Sequence, residues 1–195
     1  MTDPGATLRK NLSDSIALRQ ALLADEALLA TTLAVAEVIV ACYRNDGKVF
    51  FCGNGGSAAD AQHLAAELSG RYYYHRPPLF AEALHVNTSY ITAVANDYSF
   101  EEIYSRWVTA IGRKGDVLIA LSTSGNSANV VRAVRKANEN DMVTVGLTGG
   151  GGGQLGPLSD HLLAIPSSDT PRIQECHMLL GHTICELVER SMFPQ

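Results

Sequence analysis

Apolar residues recur at helical spacing through residues 6–43 of the chain. Leu8, Leu12 and Ile16 repeat every four positions, which predicts a helix with an apolar stripe along one face. The pattern breaks near Asp25 and then resumes, so it predicts a second helix. This second helix is apolar around much of its circumference, which indicates burial on more than one side. A helical arm with so much apolar surface predicts packing between subunits.

Short apolar runs and helical patterns alternate after the turn signal Asn45-Asp46-Gly47. The strand candidates are Val49–Cys52, Ala83–Val86, Val117–Leu121, Val143–Leu147 and Leu162–Ile165. The helix candidates are Ala58–Leu68, Thr88–Ala95, Phe100–Ile111, Ala128–Asn138 and Arg172–Met192. This alternation predicts an α/β fold of three layers, in which helices cover both faces of a doubly wound, mostly parallel five-stranded sheet. Ligands of such sheets bind beyond the carboxyl ends of the strands.

The composition and charge of the chain argue against several classes of protein. The chain is 46% hydrophobic and 18% charged, and its length fits one domain over residues 1–195, with residues 1–46 as the helical arm. The net charge is −5 without a basic cluster, which argues against nucleic-acid binding. We expect neither a signal peptide nor a membrane span, because the longest apolar stretch, Ala27–Cys42, falls short of roughly 20 residues. Four cysteines without CxxC spacing fit a reducing compartment, so we expect a soluble cytoplasmic protein.

The first candidate ligand loop is Gly53-Asn54-Gly55-Gly56-Ser57, between a predicted strand and a predicted helix. Its glycines permit close backbone approach, and the helix start offers free N–H groups to an anion. Residues 53–58 also match the dinucleotide fingerprint G-x-G-x-x-A. That site needs an acidic residue about 20 positions later, where residues 71–78 contain none. The nucleotide hypothesis therefore fails, and a tight turn without a ligand remains the alternative.

The second candidate loop is Ser122-Thr123-Ser124-Gly125-Asn126-Ser127, which follows an apolar strand and precedes a helix. Ser127 alone could cap that helix. Capping does not require the other hydroxyls, so together they predict a cup of neutral donors for a phosphate group. The loop lacks the lysine of a nucleoside triphosphatase loop. The glycine run Gly149–Gly153 is the one low-complexity segment, and it predicts a mobile loop.

Two pairs of side chains could carry chemistry. His63 and Glu67 are four positions apart and share a helix face, as a metal half-site, a proton-transfer pair or an ordinary surface pair would. Gln174 and His182 lie on the predicted final helix, about 12 Å of rise apart. One ion could bind both only if Gln174 lay in a frayed first turn or if different subunits supplied the ligands. A lone histidine in such a helix is more often structural.

These residues together resemble the sugar isomerase (SIS) domain family. The resemblance rests on the two loops and on Arg172-Ile173-Gln174-Glu175 with His182, and it covers nearly the whole chain. The serine loop is typical of all SIS domains and implies a phosphorylated sugar. The His63/Glu67 and Gln174/His182 pairs resemble those of the phosphoheptose isomerases. Those enzymes convert sedoheptulose 7-phosphate to D-glycero-D-manno-heptose 7-phosphate, the first step toward ADP-heptose-type precursors of surface glycans such as lipopolysaccharide or capsule.

The resemblance implies a role for each matched residue. The sugar would contact Asn54, Gly55, Gly56, Asn96 and Asp97, and the phosphate would bind Ser122, Thr123, Ser124 and Ser127, with Ser57 close by. One Zn²⁺ per subunit would be held by His63, Glu67, Gln174 and His182. Glu67 would act as general base and His182 as general acid, and Glu67 and Gln174 would also contact the substrate.

The resemblance also implies a homotetramer with active sites at subunit interfaces, so that neighbouring chains would bring Glu67 and His182 together. A non-catalytic SIS protein, either a phosphosugar sensor or a partner of the replication initiator, is the alternative. It would not need the Glu67/His182 pair, which therefore favours an enzyme. A SIS isomerase of pentose phosphates fits the metal-type pairs less well. The glycine run is richer in glycine than we expect of relatives, which leaves its role open.

Overall fold

The computed structural model describes residues 3–195, and its centre is a sheet of five parallel strands. The strands are β1 (Val49–Gly53), β2 (Ala81–Ala83), β3 (Val117–Ser122), β4 (Val143–Gly149) and β5 (His161–Ile165). Their spatial order is β2-β1-β3-β4-β5, and every neighbouring pair is parallel. The order changes direction at β1, where a doubly wound sheet has its ligand crevice. The predicted fold class is confirmed.

In residues 3–195, seven α-helices surround the sheet. They are α1 (Pro4–Leu23), α2 (Glu26–Arg44), α3 (Gly56–Ser69), α4 (Thr88–Asp97), α5 (Ile103–Ile111), α6 (Ala128–Glu139) and α7 (Thr170–Met192). The predicted break at Asp25 is confirmed, since its carboxylate accepts a hydrogen bond from the Leu28 N–H at 3.0 Å and caps α2. Such a cap contributes about 1 kcal/mol. The predicted helix at Phe100 begins instead as a 3-10 turn, Phe100–Glu102.

Each face of the sheet packs on its own hydrophobic core. Successive side chains of a strand point to opposite faces, so Phe51 joins the core under α2, α3 and α7, whereas Phe50 joins the core under α5 and α6. All residues of β1 and β3 are buried. The continuous apolar runs that predicted these strands are therefore the mark of a sheet covered on both faces.

One predicted strand is misplaced. Ala83–Val86 was expected to pair in the sheet, but β2 covers Ala81–Ala83 and pairs Ala81 with Val49 and Ala83 with Phe51. The chain leaves the sheet after Leu84 because the Val86 N–H bonds back to the Ala83 carbonyl in a turn. β2 is a short edge strand, and such strands carry weak patterns because only one side of their backbone is paired.

The two N-terminal helices differ in how far their apolar side chains are buried. α2 is the one helix in the described part of the chain with the length and hydropathy of a membrane span, but Val35 and Ile39 are fully buried in the core beneath it. Packing inside the protein thus accounts for part of its apolar character, since 44% of the apolar segment is buried whereas Leu33 is 53% exposed. The stripe of α1 is different, since Leu8, Leu12 and Ile16 are each more than half exposed. This single chain leaves that face uncovered, and the predicted packing between subunits stays a prediction.

Candidate active site

The two candidate loops leave the same edge of the sheet. β1 and β3 are neighbours, with Gly53 opposite Leu121 at their carboxyl ends. The side-chain amides of Asn54 and Asn129 bond to each other in both directions, at 2.8 and 2.9 Å. Asn129 lies buried in the first turn of α6 and ties the first loop to the second. Asn129 was not predicted from the sequence, because an asparagine in a first helical turn gives no separate signal.

Two neighbouring glycines at the start of α3 serve different needs. Gly55 has a positive φ of 56°, a conformation that glycine adopts at less cost than other residues. At Gly56 a β-carbon would lie 2.5 Å from Nε2 of Gln174, so the absent side chain makes room for that amide. Ser57 is buried in the first turn of α3. Gln174 of α7 therefore lies beside the first loop, where it can contact a ligand held there.

The hydroxyl groups of the second loop converge. The Ser122 hydroxyl lies 3.0 Å from that of Ser127 and 3.5 Å from that of Ser124. Ser127 is the N-cap residue of α6, yet its side chain makes no capping hydrogen bond. The Asn129 side chain accepts the Val130 N–H at 2.9 Å, which leaves the N–H groups of Ala128 and Asn129 next to the hydroxyls, an arrangement that binds phosphate. This geometry agrees with the predicted cup.

The glycine run begins at the last residue of β4 and packs against the serine loop, while its predicted mobility stays a prediction. The Gly149 N–H donates to the Thr123 carbonyl at 2.9 Å, and the Leu155 N–H donates to the Gly125 carbonyl at 3.0 Å. A β-carbon at Gly153 would lie 2.5 Å from the Ser124 carbonyl oxygen. Side chains in this run would therefore push on the serine loop, so its glycines have a structural use that the sequence analysis left open.

The polar pair at the end of α4 is connected to the first loop only indirectly, through the 3-10 turn and α5. The Asn96 amide donates to the Asp97 carboxylate at 2.8 Å, and both side chains are exposed. This end of α4 packs against the 3-10 turn that precedes α5. From α5, the Tyr104 hydroxyl donates to the Gly53 carbonyl. The contact of Asn96 and Asp97 with a sugar stays a prediction.

His63, Glu67 and His182 form a cluster, named here the trio. The Nε2 atoms of His63 and His182 lie 3.0 Å apart, and His63 Nε2 lies 3.2 Å from a Glu67 carboxylate oxygen. α3 and α7 run side by side, and a β-carbon at Gly181 would lie 2.6 Å from a methyl group of Leu64. Gly181 thus permits the close approach of the helices. The expectation that neighbouring chains bring Glu67 and His182 together is wrong, because one chain does so.

The donor atoms of the trio suit a divalent metal. One ligand atom from each residue lies within 4.8 Å of the other two. Two ligands of a tetrahedral zinc ion, each about 2.1 Å from the metal, lie about 3.4 Å apart. The observed 3.0 and 3.2 Å separations are close to that value. Two imidazoles and a carboxylate are also a donor set that zinc accepts.

Gln174 is separated from the trio along the helix pair. Its amide lies against Gly56, and α3 rises roughly 10 Å from Gly56 to His63. A frayed first turn of α7 is wrong as an explanation for a shared site, because the helix begins at Thr170 and includes Gln174. The other explanation, ligands from different subunits, stays a prediction.

A second histidine of α7 has a structural role. His177 is fully buried, and its Nε2 lies 3.1 Å from the Thr148 carbonyl oxygen. Burial lowers the pKa of His177 to about 4, although the hydrogen bond to Thr148 opposes the shift. The imidazole is therefore neutral near pH 7, and it fills space under the end of β4.

Comparisons with known proteins show a family likeness over most of the chain. A profile of the SIS domain matches residues 16–149. A phosphoheptose isomerase from Rhodospirillum rubrum is 56% identical over 162 residues, which cover 82% of this chain and 86% of the relative. One from Burkholderia pseudomallei is 50% identical over 186 residues, or 95% and 94% of the two chains. The solved structure of a phosphoheptose isomerase from Neisseria gonorrhoeae is 44% identical, with a TM-score of 0.90 over 96% of this chain and 99% of that one.

Proposed function

Because the chain belongs to the SIS-domain family, and within it to the phosphoheptose isomerases, we propose that Glu67 and His182 catalyse the isomerisation of a seven-carbon sugar phosphate. The protein is an isomerase that converts sedoheptulose 7-phosphate to D-glycero-D-manno-heptose 7-phosphate. The convergence of a carboxylate and two imidazoles at one point between α3 and α7 carries the residue assignment. A non-catalytic sensor is not favoured, because the relatives that match nearly the whole chain are enzymes.

The phosphate group binds in the serine loop. Its oxygens accept hydrogen bonds from Ser122, Thr123, Ser124 and Ser127, with Ser57 close by. The positive end of the α6 dipole favours the same anion. All these groups are neutral donors, so they bind the phosphate less tightly than a lysine would. The weaker binding lets the product leave. Asn54, Gly55, Gly56, Asn96, Asp97 and Gln174 contact the sugar.

The chemical step moves one hydrogen between the first two carbons of the sugar. Glu67 removes a proton from C1, next to the C2 carbonyl, while His182 donates a proton to the carbonyl oxygen. The resulting cis-enediol then takes a proton at C2 and loses one from the C1 oxygen, which leaves the aldehyde. Each proton transfer requires its group within about 3 Å of the reacting atom.

We assign one Zn²⁺ per subunit to His63, Glu67, His182 and Gln174. The metal would supply Lewis-acid stabilisation of the negative charge that develops on the substrate oxygens. Glu67 has two oxygens, so one can bind the metal while the other accepts the proton. His63 then serves mainly to fix the metal, since it is the most exposed member of the trio.

Gln174 reaches the metal from a neighbouring subunit in this proposal, because its amide lies beside the loops of its own chain. The trio of one chain would then face the loops of another, in a homotetramer with active sites at subunit interfaces. The uncovered stripe of α1 gives such an assembly an apolar surface to bury. All four cysteines are free and buried, which supports a reducing cytoplasm. The product would feed the synthesis of heptose-containing surface glycans, in lipopolysaccharide or capsule.

The test is to give purified protein sedoheptulose 7-phosphate and to follow the aldose by NMR. We expect the aldose heptose phosphate to accumulate to equilibrium. A pentose ketose phosphate serves as the control substrate, and we expect slower turnover of it. No turnover of either sugar by folded protein would favour the sensor, and faster turnover of the pentose would favour the other isomerase.

A further inference from the structure

A buried ion pair lies behind the trio. Arg76 Nε lies 2.9 Å from a carboxylate oxygen of Glu189, and each side chain is only 1% exposed. Charges this deep are costly unless their remaining hydrogen-bonding atoms are also paired. Neither residue was predicted from the sequence, because they are 113 positions apart and no sequence pattern marks them as buried. Their other partners connect this pair to the trio.

Arg76 holds the end of the helix that carries Glu67. Its guanidinium donates to the backbone carbonyls of Glu67 at 2.9 Å, Leu68 at 2.8 Å and Gly70 at 3.2 Å. α3 ends at Ser69, so these carbonyls belong to a helix terminus that lacks intrahelical partners. The guanidinium thus holds the Glu67 carbonyl in the last turn, and the Leu68 carbonyl also accepts the Leu79 N–H at 3.3 Å.

Glu189 holds the segment next to His182. Its two carboxylate oxygens accept the backbone N–H groups of Tyr72 at 2.8 Å and Tyr73 at 2.7 Å. The ring of Tyr72 packs against that of His182, with centroids 5.8 Å apart. Glu189 also follows His182 by two turns on the same face of α7.

The carboxylate of Glu189 is kept charged by these contacts. Burial alone would raise the pKa of Glu189, but the N–H groups of Tyr73 and Tyr72 and the Arg76 guanidinium together lower it. The ion pair is therefore intact at neutral pH, and both carboxylate oxygens of Glu189 accept hydrogen bonds.

We propose that the Arg76–Glu189 pair is a positioning device that holds Glu67 and His182 at metal-binding distance. Neither residue touches the substrate. Arg76 fixes α3 at Glu67, and Glu189 fixes Tyr72 against His182, so the pair sets the relative position of two members of the trio. The inference rests on the proposed metal site. Groups that orient metal ligands commonly change metal affinity by 10- to 100-fold when they are altered.

The test compares Glu189→Gln with a matched control, Asp116→Asn. Asp116 is also a buried carboxylate, and it accepts the N–H groups of Lys48 at 2.8 Å and Arg113 at 2.9 Å. It stands at the start of β3, opposite the edge that carries the loops. Both variants replace a charged acceptor of two backbone N–H groups by an amide. Asp116→Asn therefore shows the general effect of losing such a carboxylate, with which the effect of Glu189→Gln is compared.

The measurement is the binding of Co²⁺, a spectroscopic substitute for Zn²⁺, to metal-free protein, followed by visible absorption. We expect Glu189→Gln to weaken Co²⁺ binding by at least about tenfold, and Asp116→Asn to leave it within twofold of wild type. We also expect Glu189→Gln to lower kcat with KM unchanged, because the serine loop is not disturbed. Wild-type Co²⁺ affinity in folded Glu189→Gln would overturn the proposal.

Arg76→Lys keeps the charge but loses the planar fork that reaches several carbonyls. We expect it to bind Co²⁺ less tightly than wild type and more tightly than Glu189→Gln, and wild-type affinity would overturn the proposal. If Glu189→Gln does not fold, Arg76→Lys alone tests the proposal. Weaker Co²⁺ binding by this variant would then support it, and wild-type affinity would overturn it. Absence of Co²⁺ and Zn²⁺ binding by wild type itself would instead reject the proposed metal site, so the two failures are distinguishable.

Discussion

The Nε2 atoms of His63 and His182 lie 3.0 Å apart, although 119 positions separate the residues in the chain. The packing of α3 against α7 creates this contact, and Gly181 leaves room for the Leu64 side chain between the two helices. Two ring nitrogens so close together, beside the Glu67 carboxylate, are well placed to share a cation.

Substitution of His63 should remove the metal. We expect wild-type protein to purify with about one zinc per chain, since the trio offers a tetrahedral ion three of its ligands, and we expect His63→Ala to contain little. Chelator treatment of wild type should abolish turnover, and added zinc should restore it. Elemental analysis gives the metal content, with the exposed His75→Ala as the control. Equal zinc in His63→Ala and wild type would remove His63 from the ligand set.

Substitution of Ser124 should weaken substrate binding. Ser124→Ala deletes one hydroxyl of the cup, and a hydrogen bond to a charged group contributes about 1.5–3 kcal/mol. We therefore expect KM to rise roughly 10- to 100-fold with a smaller change in kcat. Steady-state kinetics measure both constants, and Ser13→Ala on the exposed surface of α1 is the control. An unchanged KM would exclude this hydroxyl from phosphate binding.

Mixing two inactive variants should restore activity if neighbouring subunits share each site. Glu67→Gln lacks the base but keeps Gln174 and the loops, whereas Gln174→Ala keeps the trio. Dissociation and reassembly of a mixture should create some interfaces with a complete set of residues. The control mixture is Glu67→Gln with His182→Ala, in which no chain has an intact trio. If the first mixture stayed as inactive as the control, Gln174 and the trio would act within one chain.

The buried imidazole of His177 should make the protein less stable in mild acid. Burial lowers its pKa from 6.5 to about 4, so below pH 6.5 the unfolded chain takes up a proton that the folded protein does not. The free energy of unfolding therefore decreases as the pH is lowered from about 6.5 to about 4, and at pH 5 the loss is about 2 kcal/mol. Urea unfolding at pH 7 and at pH 5 measures this difference in unfolding free energy.

The variant His177→Gln should show a smaller loss of unfolding free energy between pH 7 and pH 5, by about 2 kcal/mol. The exposed His75→Gln should keep the wild-type difference. If His177→Gln lost as much stability as wild type over this range, the titrating group would be elsewhere.

The sequence predicted the parts of the fold that have strong local patterns. Continuous apolar runs marked β1 and β3, and the glycines and hydroxyls that follow them marked both loops. The edge strand β2 was misplaced because Glu82 is exposed, and the more apolar segment ending at Val86 belongs to a turn. Local patterns therefore predicted that both loops leave the sheet at the carboxyl ends of β1 and β3, where the structure has them.

Contacts between distant segments were harder to predict. The spacing of His63 and Glu67 placed them on one helix face, but the sequence could not show that α7 packs there and brings His182 from the same chain. Arg76 and Glu189 were missed altogether, because charged residues in a sequence normally indicate surface. Such pairings depend on tertiary packing rather than on local pattern.

Solvent isotope exchange tests the assignment of Glu67 and His182 most directly. Sedoheptulose 7-phosphate is incubated in D₂O with wild type, Glu67→Gln or His182→Ala, and NMR follows deuterium in the recovered sugars. We expect wild type to form aldose with deuterium at C2 and each variant to lose turnover while it remains folded. Turnover and deuterium incorporation at the wild-type rate in either folded variant would contradict the assignment of that residue.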